Sequence, residues 1–79
     1  MNNVEFRALR SKAGLTQARV AARSRVDRTR LCMWENGDLS LPSHEAGLLG
    51  ATLVQLIGES AEQMNKLVIE SRQATLMAQ

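Results

Sequence analysis

Only Ser24, Arg25 and Val26 separate two segments that both read as amphipathic helices, and this connection limits the possible folds more than any other feature. Thr16 is a good N-cap for the first segment, and Val20 and Ala21 give it an inward face through Arg23. Asp27 caps the second segment, which runs through Trp34 or Glu35 and stops at Asn36-Gly37. A link of about three residues is too short for an antiparallel hairpin, so two such helices must cross at a large angle.

The rest of the chain carries the punctuation of further helices. A first helix is predicted over Asn3 to Lys12, with Phe6, Leu9 and Ala13 at helical spacing and Gly14 as a left-handed terminator. Pro42 suits the first turn of a fourth helix bearing Leu48, Leu49, Leu53, Leu56 and Ile57, which Gly58 is expected to end. Ser60 and Gln63 then read as a capping box for a fifth helix, from Ala61 to Met77. β-Branched residues do not alternate as strands require. The expectation is one all-α domain of five helices: residues 1–57 form the body and residues 58–79 a C-terminal helix for packing or dimerisation.

The chain has 79 residues and its aromatic side chains are Phe6 and Trp34 alone, so it needs close helix packing or a partner subunit. Cys32 is the single cysteine, which rules out an internal disulfide, and one cysteine with one histidine falls short of a four-ligand zinc site. No metal or other cofactor is expected, and a reducing compartment fits. Arg7, Arg10 and Lys12 stand near the start in place of a signal peptide's apolar stretch, and no window reaches the roughly 20 apolar residues of a membrane span. The expected location is the cytoplasm, without a membrane partner. Paired carboxylates, a Ser/His/Asp set and a phosphate-binding glycine loop are all lacking, so no enzyme is read here.

Charge is unevenly placed. Residues 1–40 hold eight Lys/Arg against four Asp/Glu and residues 41–79 hold two against four, so the halves are +4 and −2 and sum to the net +2. Between Arg7 and Arg30 the eight basic residues are opposed by Asp27 alone. Fixed positive charge gains free energy by displacing counterions from phosphates, although a merely solvated face has the same composition. At about 100° per residue, Arg28, Cys32, Asn36, Thr29 and Met33 share an arc of about 140° on the third helix. Leu31 and Trp34 lie on the other side, as core. The outward face is small and polar, of a size to enter a major groove about 12 Å wide.

Arg10, Ala13-Gly14-Leu15-Thr16-Gln17, Val20-Ala21, Val26, Leu31 and Trp34-Glu35-Asn36-Gly37 occur here in an order that resembles a known family. The chain is similar, over about Phe6 to Leu53, to the Cro/cI-like (XRE-type) helix-turn-helix transcriptional regulators of phage and bacteria. Asp27-Arg28-Thr29 also resembles small controller proteins of restriction-modification systems. The resemblance implies a lambda-repressor-like fold and double-stranded DNA as partner. It implies that Arg28, Thr29 and Met33 read bases, with Cys32 between them, and that Thr16, Gln17 and Asn36 lie against the DNA backbone. Gln17 would also buttress Arg28, whose guanidinium can donate two parallel hydrogen bonds to guanine. Arg10 and Glu35 match a partly buried ion pair joining the first helix to the end of the third.

Ser43 and His44 fall at the N-terminus of the fourth helix, where free N–H groups favour phosphate, although an ordinary exposed histidine fits as well. Cys32 fits a small contact to DNA, plain surface or a redox sensor, the last without a resolving partner. Arg25 stands where relatives carry the turn glycine, so it must turn left-handed or the turn must adjust. Asp38 and Leu39 replace residues that are basic in many relatives.

Around the last helix, Ile57, Ser60, Ala61, Met64, Leu67, Val68, Ser71, Ala74, Thr75 and Ala78 fall in an uncharged arc of about 140°. This face closes the monomer's core, pairs with its own copy, or does both. The predicted homodimer interface is Ile57, Ala61, Met64, Leu67, Val68 and Ser71. A dimer suits an inverted repeat with half-sites about 34 Å apart. The chain therefore reads as a homodimeric repressor or autoregulator. The alternative is an antitoxin or small phage adaptor that binds a co-encoded protein through its C-terminal helix.

Overall fold

The computed structural model describes the backbone of residues 1–77 and the side chains of residues 1–69. The described residues form four helices and no strand: α1 (Asn3–Lys12), α2 (Gln17–Ser24), α3 (Arg28–Glu35) and α4 (Ser43–Met77). α1 starts where the Asn2 side chain accepts the Glu5 N–H at 2.8 Å. It ends at Gly14, whose φ of +72° turns the chain so that the Leu15 N–H reaches the Arg10 carbonyl at 3.1 Å.

α2 packs on α3 and α4, and α1 closes the body by touching α3 and α4. Their shared core holds Phe6, Leu15, Val20, Leu31, Leu49, Leu53 and Leu56, with Ala21 and Trp34 at its edge. Phe6 and Trp34 meet with ring centroids 5.1 Å apart and planes tilted by 58°, an arrangement aromatic quadrupoles favour. Each fully buried large side chain contributes about 1.5–3 kcal/mol against the entropy of ordering. The core thus fixes α3 by its Leu31 and Trp34 side and leaves its other side out.

The structure corrects the helix count from five to four. Gly58 does not end a helix: it has no positive φ, and α4 runs through it for 35 residues. Ser60 is therefore interior rather than a cap, and the boundary drawn between residues 57 and 58 falls inside α4. The physical reason is a comparison of costs. One glycine inside a helix costs about 1 kcal/mol relative to alanine. Breaking the helix and nucleating another, at a nucleation constant of about 10⁻³, costs roughly 4 kcal/mol. Contact with the body also continues past the glycine, since Glu59 pairs with Arg23 of α2.

Beyond Ser60 every described side chain of α4, from Ala61 to Ile69, is exposed. Leu48, one of the apolar residues of the predicted fourth helix, is also exposed, at 48%. The long helix gives the molecule an extent of 57 Å against 18 Å across. Among the described residues no helix is long and apolar enough to cross a membrane.

Candidate nucleic-acid interface

The crossing of α2 and α3 is set by the turn between them. Thr16 caps α2 by accepting the Arg19 N–H at 3.1 Å, and Asp27 caps α3 by accepting the Thr29 N–H at 3.2 Å. Between them Ser24 is buried: its hydroxyl donates to the Val20 carbonyl at 2.8 Å and accepts the Val26 N–H at 3.3 Å. Arg25 takes φ 61° and ψ 22°, the left-handed conformation the turn demands, at a cost of about 1–2 kcal/mol for a side chain with a Cβ. Val26 then drops back against the core.

The far end of α3 is held by a buried ion pair. Arg10 donates from Nε and Nη2 to the two Glu35 oxygens, both at 2.8 Å, and from Nη1 to the Leu15 carbonyl at 2.8 Å. Glu35 is fully buried and Arg10 nearly so, with 0% and 12% of the side chain exposed. The hydrogen bonds to Glu35, more than the attraction between the charges, hold the Arg10 pKa above its ordinary value, against the opposing effect of burial. One guanidinium thus ties α1, the loop after it and α3 together.

With both ends fixed, the outward side of α3 presents Arg28, Thr29 and Met33, all exposed, and the half-buried Cys32. These residues and Gln17 of α2 line one shallow depression between the two helices. Gln17 donates from Nε2 to Glu35 Oε1 at 3.2 Å, so the buried carboxylate orients it. No hydrogen bond joins Gln17 to Arg28 among the described residues. The second N–H of that amide has no protein partner among the described residues.

Other expected contacts are more scattered. Thr16 lies exposed at the start of α2, where its hydroxyl serves as the cap. Asn36 accepts from Arg7 at 3.4 Å and donates to Cys32 Sγ at 3.6 Å, which places it between α1 and the end of α3. Ser43 and His44 are exposed at the start of α4 but do not line the depression; Ser43 lines a separate groove along α4. Of the residues expected at a dimer interface, Ile57 is half-buried against the core, while Ala61, Met64, Leu67 and Val68 are exposed. The side chains of Ser71, Ala74 and Thr75, and the whole of Ala78, lie outside the described residues.

Two ion pairs were not legible in the sequence. Arg30 Nη2 meets Glu45 Oε2 at 2.8 Å, tying α3 to the start of α4, and Arg23 meets Glu59. These partners are 15 and 36 residues apart, and no local spacing signals them. They change the charge reading. Of the eight basic residues from Arg7 to Arg30, three (Arg10, Arg23 and Arg30) are committed to ion pairs. Arg7, Lys12, Arg19, Arg25 and Arg28 have no acidic partner among the described residues and remain for a polyanion.

A capped helix, held by its inner face and crossing another after a tight turn, is the architecture of helix-turn-helix DNA-binding modules. The chain belongs to the helix-turn-helix domain family, whose model matches residues 4–56. No curated protein and no solved structure matches the chain at a meaningful level of similarity. Family membership supports a DNA-binding regulator built on a module that is typically non-enzymatic. The match covers the body and stops where α4 leaves it.

Proposed function

We propose that this protein is a sequence-specific, double-stranded DNA-binding transcriptional regulator of the Cro/cI-like (XRE) type. It acts as a homodimeric repressor or autoregulator, and α3 reads each half of an inverted repeat. The observation that carries this reading is the depression lined by Gln17, Arg28, Thr29, Cys32 and Met33 on the outward side of a helix whose inner side is locked in the core. Arg28 donates to guanine O6 and N7, and the methyl of Thr29 meets a thymine methyl. Gln17, Thr16, Asn36, Ser43 and His44 contact backbone phosphates, with Arg7 and Arg19 on the same basic body. Bound at a promoter, a dimer blocks access by polymerase.

Selection of duplexes from a randomised pool tests this reading. The enriched sequence is expected to be an inverted repeat, bound with an affinity that falls steeply as salt rises. A pool that yields no enrichment, or binding indifferent to salt, contradicts it. Exposed Met64, Leu67 and Val68 favour a second reading, an antitoxin or adaptor whose target covers the end of α4. A stable complex with a co-encoded protein, formed by a chain that shifts no duplex, would support that reading instead.

A further inference from the structure

The side of α4 turned away from Leu49 and Leu56 is largely uncovered in the monomer, with Ala46 and Ile57 along one edge packed against the core. At about 100° per residue, every position in an arc of about 140° from Ser43 to Ile69 is uncharged, and all are exposed or half-buried. The two ends of this face differ in relief. At the N-terminal end Gly47, Gly50, Ala51 and Val54 line an open groove that Met1 of the same chain also borders. A Cβ at Gly47, Gly50 or Gly58 would meet no heavy atom within 4 Å. At the other end Met64, Val68 and Ile69 form a ridge, exposed by 67%, 51% and 56%.

We propose that a second copy of the chain packs on this face antiparallel, about a two-fold axis between Ile57 and Gly58, so that the ridge of each copy fills the groove of the other. The proposal rests on the dimeric reading above and specifies its interface. In this register Gly47 lies opposite Val68, Ala51 opposite Met64, Val54 opposite Ala61, and Ile57 opposite Gly58. Each layer sets a larger side chain against a smaller one, so the helices stay evenly spaced at native packing density. A parallel pairing sets glycine on glycine at one end and Met64 and Val68 on themselves at the other, which forces the axes to splay.

The face is just large enough for the task. From Ala46 to Ile69, the span paired about this axis, it runs about 35 Å, and an arc of about 140° on a helix about 14 Å across, solvent probe included, covers at most roughly 600 Å². Two copies bury at most roughly 1,200 Å², at the lower edge of the roughly 1,200–2,000 Å² of specific interfaces. Between Ala46 and Ile69, which lie opposite each other, no layer buries a charge; Asn65, opposite Gly50, is the polar side chain the contact must leave solvated or hydrogen-bonded.

Disulfide trapping tests the register on protein free of DNA. In a Cys32→Ser background, chains carrying Gly47→Cys and chains carrying Val68→Cys are mixed and oxidised. The mixed dimer is expected in large excess over either self-pair. A dominant Val68→Cys self-pair, or a monomer by sedimentation at tens of micromolar, overturns the proposal. Gly47→Leu has room within the monomer and is expected to keep its helical circular dichroism while weakening the dimer at least about tenfold. Adding Val68→Ala is expected to restore most of that loss, and a dimer indifferent to Gly47→Leu also overturns the proposal. Duplex binding by a persistent monomer would remove this interface and leave the role of α3 untouched.

Discussion

Arg25 is the only non-glycine residue with positive φ among the described residues, and it sits at the turn that aims α3. Replacing it with glycine relieves the Cβ clash but frees the unfolded chain, so Arg25→Gly is expected to stabilise the fold by up to about 1 kcal/mol, read as a shift in urea midpoint. Glu35 has the opposite sensitivity. Glu35→Ala leaves the Arg10 guanidinium buried without its carboxylate, and a loss of about 3–5 kcal/mol is expected, a large part of the stability of a small domain. Because the Arg10 pKa is raised, the stability from its charge is fully present below the unfolded guanidinium pKa. It is lost only as pH rises through the higher folded value, so unfolding midpoints between pH 6 and 9 should show no loss from this group. The pairing of Arg10 with Glu35 was legible because both residues stand in the motif the sequence resembles. Gln17 as a third member, and the Arg30–Glu45 tie, were not, since side chains meeting across helices leave no periodic trace.

At the scale of elements, local chemistry wrote the first three helices plainly. Thr16 and Asp27 act as N-caps, Gly14 and Gly37 take positive φ after α1 and α3, and the apolar spacing names Phe6, Val20 and Leu31 as core. The same signals misled at Gly58 and Ser60, because a glycine and a serine are tolerated inside a helix when both flanks are already helical and one flank packs on the body. Ser60→Ala separates the two cases. A lost N-cap costs about 1 kcal/mol. At an interior site alanine gains a few tenths, roughly 0.5 kcal/mol, so no destabilisation is expected in thermal melts. The exposure of Leu48 has a related cause: helical spacing assigns a stripe, but only neighbouring helices decide which edge of it they cover.

For the molecule as a whole, DNA recognition depends on a charge set smaller than the sequence suggests, because Arg10, Arg23 and Arg30 are held in ion pairs. If the five remaining cations all met phosphates, the slope of log K against log salt would be no steeper than about −4.5 per protomer, against about −7 for all eight. A titration over salt concentration is expected to fall at or below the smaller figure. The outward placement of α3 matters more than that total, and one comparison tests it most directly: binding of the wild-type chain and Arg28→Ala to the selected duplex and to a scrambled duplex of equal length, at one salt concentration. A loss of about 1–3 kcal/mol on the selected duplex is expected, with little change on the scrambled one. Equal losses on both, or none on either, would contradict the assignment of α3 as the helix that reads bases.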